Sequence, residues 1–187
     1  QAIVVDNKPG SSGQLGLTLI KQAPNDGYTL GCGQGGNMVV LPLALSKVAY
    51  DSRKDFAPVA MMASNFLALV VRPDAPFQTT QELIAYAKAN PGTLNYATWG
   101  SGSVPGIFLG WINHANSVNI TPVPYKGAGP SLPAILAGQV HLTYTAIGLV
   151  QQHVTAGKLR VLAVAGKDRS PFVPGVPSIA EFNSDPG

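Results

Sequence analysis

Short apolar runs alternate with helix-spaced apolar stripes along most of this chain. Ala2 to Val5 is a β-branched run closed by the turn formers Asn7, Pro9 and Gly10. Leu15, Leu19 and Ile20 follow at helical spacing behind Ser11 and Ser12, residue types that cap helix starts. Pro24-Asn25-Asp26-Gly27 marks a turn, and Tyr28 to Cys32 reads as the next strand. Strand, helix and strand in about thirty residues predict a parallel pair with a crossover helix. Met38 to Leu45 reads as helical, with Pro42 at a break or in a first turn. Tyr50 to Phe56 is a polar connection. Val59 to Val71 is one or two strands, Phe66 to Arg72 the better bounded.

The second half repeats the alternation more cleanly. Thr79 or Thr80 caps a helix over Gln81 to Asn90, which Pro91-Gly92 ends. Leu94 to Ala97 is a strand. Gly100 to Ser103 opens a helix running to about Ala115, with Pro105 in its first turn. Ile120 to Pro124 is a strand, and Lys126 to Pro130 is a loop entering a helix over Ser131 to Ala137. Strands are expected over Val140 to Thr145 and Leu159 to Ala165, with a helix over Leu149 to Thr155 between them. A short helical turn is expected near Ser178 to Phe182. Strand and helix in strict alternation predict a doubly wound α/β architecture. The Pro-marked join at Val71 to Phe77 suggests a crossover between domains.

Composition narrows the classes. A length of 187 residues suits one large domain or two small ones. Charged residues make up 11% of the chain, less than half the ~25% of ordinary soluble proteins. Parallel strands covered on both faces account for that scarcity. The most apolar stretch, Phe56 to Val71, is broken by Pro58, Ser64 and Asn65 and falls short of the ~20 residues of a spanning helix. A hydrophobic content of 45% with a net charge of +3 excludes disorder. Cys32 alone builds no disulfide scaffold, and its strand position predicts a buried thiol. The basic residues are scattered, which argues against nucleic acid as a partner. The chain opens on a strand without Met or an apolar leader and closes on the turn Ser184-Asp185-Pro186-Gly187, so both ends read as cuts inside a larger protein.

Catalytic chemistry finds little footing. His114, His141 and His153 lack partners at metal-ligand spacing, so no metal and no cofactor is expected. No nucleophile elbow occurs. Glu82 and Glu181 are the two glutamates, both on surface helices, and Asp55, Asp74 and Asp168 read as turn formers. Gly10 to Gly16 is only a loose echo of a dinucleotide loop. The chain is therefore read as a binding protein, not an enzyme. Three polar, glycine-rich loops each follow a strand and open a helix: Gly33 to Asn37, Thr98 to Ser103, and Tyr125 to Gly129. Helix entrances present unpaired N–H groups and partial positive charge, and small residues let an anion approach them. In open α/β sheets, ligands sit beyond the carboxyl ends of the strands.

These residues also carry a resemblance. Val4-Val5-Asp6-Asn7-Lys8-Pro9-Gly10-Ser11-Ser12-Gly13, Asp26-Gly27-Tyr28-Thr29-Leu30 and Lys54-Asp55-Phe56-Ala57-Pro58-Val59 resemble successive motifs of one family. So do Asn90-Pro91-Gly92-Thr93-Leu94-Asn95-Tyr96, Val123-Pro124-Tyr125-Lys126-Gly127, Gly138-Gln139-Val140, Ala156-Gly157-Lys158-Leu159-Arg160 and Val176-Pro177-Ser178-Ile179-Ala180-Glu181. In order and over almost the whole chain, they are similar to the substrate-binding receptors of tripartite tricarboxylate transporters, the Bug receptors.

The resemblance implies a periplasmic-binding-protein-like fold of two doubly wound lobes, the first incomplete: residues 1–70 as a partial first lobe, 71–163 as the second, and 164–187 as a return segment. It implies a periplasmic receptor that delivers a small carboxylate to a membrane permease. By position, ligand contacts fall on Gln34, Gly35, Gly36 and Asn37, on Thr98, Gly100, Ser101, Gly102 and Ser103, on Tyr125, Lys126 and Gly127, and on Thr145. The family's histidine at the second helix entrance is replaced by Val104-Pro105-Gly106. An acidic residue that pairs with ligand amino groups is replaced by Thr145. The expected ligand therefore lacks an ammonium group. Lys126 reads equally as a carboxylate or hinge contact and as a solvated loop lysine. The rival reading is a metabolite-sensing effector domain of a transcription regulator, which would need a helix-turn-helix segment upstream.

Overall fold

The computed structural model describes residues 2–181. Its centre is a five-stranded sheet: β1 (Leu67–Val71), β2 (Asn95–Thr98), β3 (Thr121–Pro124), β4 (Leu142–Ala146) and β5 (Arg160–Val164), in the order β3-β2-β4-β1-β5. β2 runs parallel to both β3 and β4, as alternating strand and helix predict. β1 runs antiparallel to β4 and to β5, so the sheet is mixed rather than wholly parallel.

Helices cover both faces. α3 (Thr80–Ala89) and α4 (Val104–Asn116) close one side, where Leu83, Leu109 and Ile112 pack with Leu69, Tyr96, Leu142 and Tyr144. Tyr144 stacks on Phe108, ring centres 3.9 Å apart, and burial pushes its hydroxyl up to about 12. α5 (Ala128–Leu136) and α6 (Ile147–Thr155) close the other side, where Ala134, Ile135, Ile147 and Val150 pack with Ala68, Val70, Ala97 and Val161. Thr79 caps α3 by accepting from the Glu82 N–H at 3.1 Å, and Ser103 caps α4 through the Gly106 N–H at 3.2 Å. α5 starts at Ala128, ahead of the expected Ser131. Pro130 fits the first turn, where N–H groups have no helical partner, and the packed face tolerates Pro133 inside.

The segment before β1 behaves differently. α1 (Gln14–Gln22), a π-helical stretch over Gly36–Val40 and α2 (Leu41–Ala44) form near their expected places. The expected strands at Ala2 to Val5 and Tyr28 to Cys32 do not pair with anything among the described residues. Their apolar side chains are open to solvent, with Val4 87% and Tyr28 79% exposed. Apolar alternation supplies a strand tendency, but a strand exists only with a neighbour to bond. The parallel pair expected there is therefore not formed. Cys32, expected as a buried thiol, is exposed for the same reason.

Arg72 to Gln78 links β1 to α3 and buries its own Phe77 in the core beside Leu69 and Leu83. A division drawn at residue 70 passes through β1, which hydrogen-bonds to β4 and β5 along its length. After β5, the chain returns through the Val164–Ser178 bridge to a 3-10 turn at Ile179–Glu181. Phe182 lies outside the described residues.

Candidate functional site

The carboxyl ends of parallel β2 and β3 bring two of the predicted loops side by side. The Tyr125 N–H donates to the Thr98 carbonyl at 2.7 Å, which ties the loop after β3 to the loop after β2. The loop after β2 is held by its own hydroxyls. Ser103 Oγ donates to the Gly100 carbonyl at 2.6 Å and accepts from the Trp99 N–H at 3.2 Å. It also lies 3.1 Å from Thr98 Oγ1. Thr98 and Ser103 are each only 3% exposed, so these hydroxyls shape the loop from inside. Gly100 sits at φ 107°, a left-handed position that favours glycine, and Ser101 is exposed at the tip.

The third loop comes from the first part of the chain. The Gln34 N–H donates to Asn37 Oδ1 at 2.8 Å, and the Asn37 carbonyl accepts from the buried Tyr50 hydroxyl. Asn37 is thus committed to holding its loop, while Gln34 and Gly35 are exposed. This segment touches the loop after β2 at three places. Ser12 Oγ donates to the Trp99 carbonyl at 3.1 Å. A Cβ on Gly36 would lie 3.0 Å from Val104 Cγ2, and one on Gly102 would lie 2.5 Å from Leu41 Cδ1. Glycine at both positions permits the approach.

The helix entrances are not equivalent. At α4 the Ser103 cap occupies the Gly106 N–H and Pro105 has none, so few donors remain there. α5 has no side-chain cap; Gly127 precedes it at φ 128°. A Cβ on Gly127 or Gly129 would meet nothing within 4 Å. The α5 entrance, flanked by half-buried Tyr125 and exposed Lys126, is therefore an open donor site, and the only one of the two entrances beside the sheet that is uncapped.

Thr145 lies on β4 opposite Ala68 of β1, on the face covered by α5 and α6. It is 2% exposed, and its hydroxyl has no hydrogen-bond partner among the described residues. The indole Nε1 of Trp99 is buried and unpartnered in the same sense. Sequence reasoning passed over Trp99 and Ser12; the available signal was a large donor-bearing ring one residue past a strand end in a Gly/Ser loop. The predicted residues thus supply one cation, Lys126, and no carboxylate. Two hollows, of about 460 Å³ and 130 Å³, lie along α6, and neither includes a residue of the three loops.

A mixed α/β layer with helices on both faces and ligand-type loops at its strand ends defines a periplasmic-binding-protein-like fold. Residues 1–186 match the model of the tripartite tricarboxylate transporter family receptor, and the chain belongs to that family. A relative from Pseudomonas sp. (strain P51), the UPF0065 protein in the tcbD-tcbE intergenic region, is 35% identical across 100% of this chain and 55% of its own. The chain spans about half the length of the curated relatives it matches. Rhodopseudomonas palustris Rpa4515, solved with adipate, superposes at TM-score 0.90 with 33% identity, over 100% of this chain and 62% of that one. MatC from the same organism, solved with malate, superposes at 0.86 with 32% identity, over 93% of this chain and 59% of that one.

Proposed function

We propose that this chain is the ligand-capturing part of a periplasmic receptor that takes up a small carboxylate without an amino group and hands it to a membrane permease. The observation that carries this reading is the open α5 entrance at Gly127, beside the Thr98 to Ser103 loop and within reach of no carboxylate among the predicted contacts. Backbone N–H groups at a helix start, with the helix dipole behind them, hold an anion without a dedicated arginine. The Gln34 to Asn37 loop, brought to Val104 by Gly36, with α2 brought to the Thr98 to Ser103 loop where Gly102 meets Leu41, supplies the opposing wall. Two relatives solved with dicarboxylates, malate and adipate, support the same ligand class.

Ser101, Gly102, Gln34, Gly35, Gly36, Tyr125, Lys126 and Gly127 face or frame the ligand. Thr98, Gly100, Ser103 and Asn37 hold the loops, and Thr145 takes the place where an acidic residue would favour an ammonium group. The lobes divide ahead of β1, so the second lobe runs from β1 to β5 and the segments on either side belong to the first. The protein turns nothing over: it binds and releases.

A melting-temperature screen tests this reading. Mono- and dicarboxylates raise the melting temperature by mass action on the folded state, while amino acids of equal length leave it unchanged. A screen in which amino acids shift it and plain acids do not would overturn the proposal.

A further inference from the structure

Five buried side-chain groups have no hydrogen-bond partner among the described residues: Ser52 Oγ, Thr80 Oγ1, Trp99 Nε1, Thr145 Oγ1 and an Arg160 guanidinium nitrogen. Two of the five stand at the carboxyl ends of neighbouring strands. β2 and β4 are parallel neighbours with Ala97 beside Thr143. Thr145 lies two residues past Thr143, one before the end of β4, and Trp99 is the first residue after β2, in the bend that opens its loop. A step of two along a strand returns to the same face. That face is the one α5 and α6 cover, and α5 is the helix with the uncapped entrance.

The backbone of Trp99 is fixed from both sides. Its N–H donates to Ser103 Oγ at 3.2 Å, and its carbonyl accepts from Ser12 Oγ at 3.1 Å. An indole N–H only donates, and a buried one ordinarily finds an acceptor. A buried donor left unmade is costly, so a position that fixes the backbone and still strands the indole N–H points to an acceptor arriving from outside. The Thr145 hydroxyl can donate to the same oxygen or accept from a ligand hydroxyl.

We infer that Trp99 is a ligand-binding residue, its indole N–H and the Thr145 hydroxyl forming a neutral donor pair for an acceptor oxygen of the captured acid. The inference rests on the receptor reading and adds to it a specificity element. A pair with two donors and no negative charge favours carboxylate or hydroxyl oxygen at this point and meets an ammonium group with only the neutral Thr145 oxygen. Ser12 acts one step back as a positioning residue, because its hydroxyl holds the Trp99 carbonyl.

The chain has two tryptophans, which makes the test direct. Trp111 lies on α4 and is 42% exposed, so it serves as the internal control. In the ¹⁵N-labelled 187-residue chain, with indole signals assigned by Trp111→Phe, titration with malate or adipate moves the Trp99 indole N–H signal and leaves that of Trp111 in place. Trp99→Phe keeps an aromatic ring, though a smaller one, and removes the donor, and Thr145→Val removes the hydroxyl at constant shape. Each weakens binding of the same acid about tenfold, the scale of a hydrogen bond to a charged acceptor, while Trp111→Phe leaves it unchanged. If an acid binds by calorimetry and the Trp99 signal stays fixed at saturation, this inference is overturned and the receptor reading stands. If no acid binds the wild-type chain, both fall.

Discussion

Similar apolar runs meet opposite fates in the two halves of this molecule. In the sheet layer, Leu69, Val70 and Leu142 are wholly buried. Ahead of it, Val4 and Met61 sit in comparable runs and are 87% and 88% exposed. The difference is not in local preference, since both regions carry β-branched and long aliphatic residues. It lies in partners: β1 is bonded on both sides, whereas the extended segments at Ala2 to Val5, Tyr28 to Cys32 and Val59 to Met62 have no strand beside them among the described residues. Strand tendency is a property of the run, and burial is a property of the assembly around it.

Core truncation breaks the comparison most sharply. Leu142→Ala in β4 costs about 2–5 kcal/mol of unfolding free energy, whereas Met61→Ser stays within about 0.5 kcal/mol. Urea unfolding followed by circular dichroism reads both, and equal costs would mean that the two regions are packed alike. A glycine pair gives the next largest contrast. A Cβ on Gly106 would meet the Thr98 hydroxyl at 2.9 Å and the Ser101 carbonyl at 3.1 Å, so Gly106→Ala costs about 1–3 kcal/mol. Gly35 has open space and ordinary helical backbone, so Gly35→Ala is neutral or slightly stabilising.

Ser12 joins the two regions, and its loss is smaller still. Ser12→Ala removes the bond to the Trp99 carbonyl and costs about 1 kcal/mol, read as a shift in the urea midpoint. The smallest effect is a pH dependence in the return segment. Arg169 beside Glu181, helped by the Ser178 N–H, lowers the Glu181 carboxyl from its ordinary 4.5 to about 2. A carboxyl depressed on folding stabilises the fold above its unfolded value. That contribution fades as the pH falls from about 4.5 through 2. The pair is exposed and the effect modest, so Glu181→Gln flattens the acid limb of the melting curve only slightly.

The sheet layer was largely legible in the chain. Thr79 and the Gly100 to Ser103 turn announce the starts of α3 and α4, because cap hydroxyls and small residues serve the same local need wherever they occur. The antiparallel direction of β1 was not legible, since a strand's side chains alternate identically whichever way it runs. The three loops were found from glycine and hydroxyl spacing. Their inequality was hidden: the Ser103 cap and Pro105 show that α4 keeps few donors, whereas the entrances at Gly35 and Gly127 have no side-chain cap and open space around them. Trp99 stayed invisible because a tryptophan after a strand looks like core until its N–H is seen without an acceptor.

The central claim is that the loop set accepts a small carboxylate and offers no carboxylate to an ammonium group. Malate and aspartate share one four-carbon dicarboxylate skeleton and differ in a hydroxyl against an ammonium, so they isolate that claim. Calorimetric titration of this chain with each is expected to give measurable heat and saturable binding with malate, and affinity at least about tenfold weaker with aspartate, the discrimination of one unmet polar group. Equal or tighter binding of aspartate, or no binding of either acid, would contradict it.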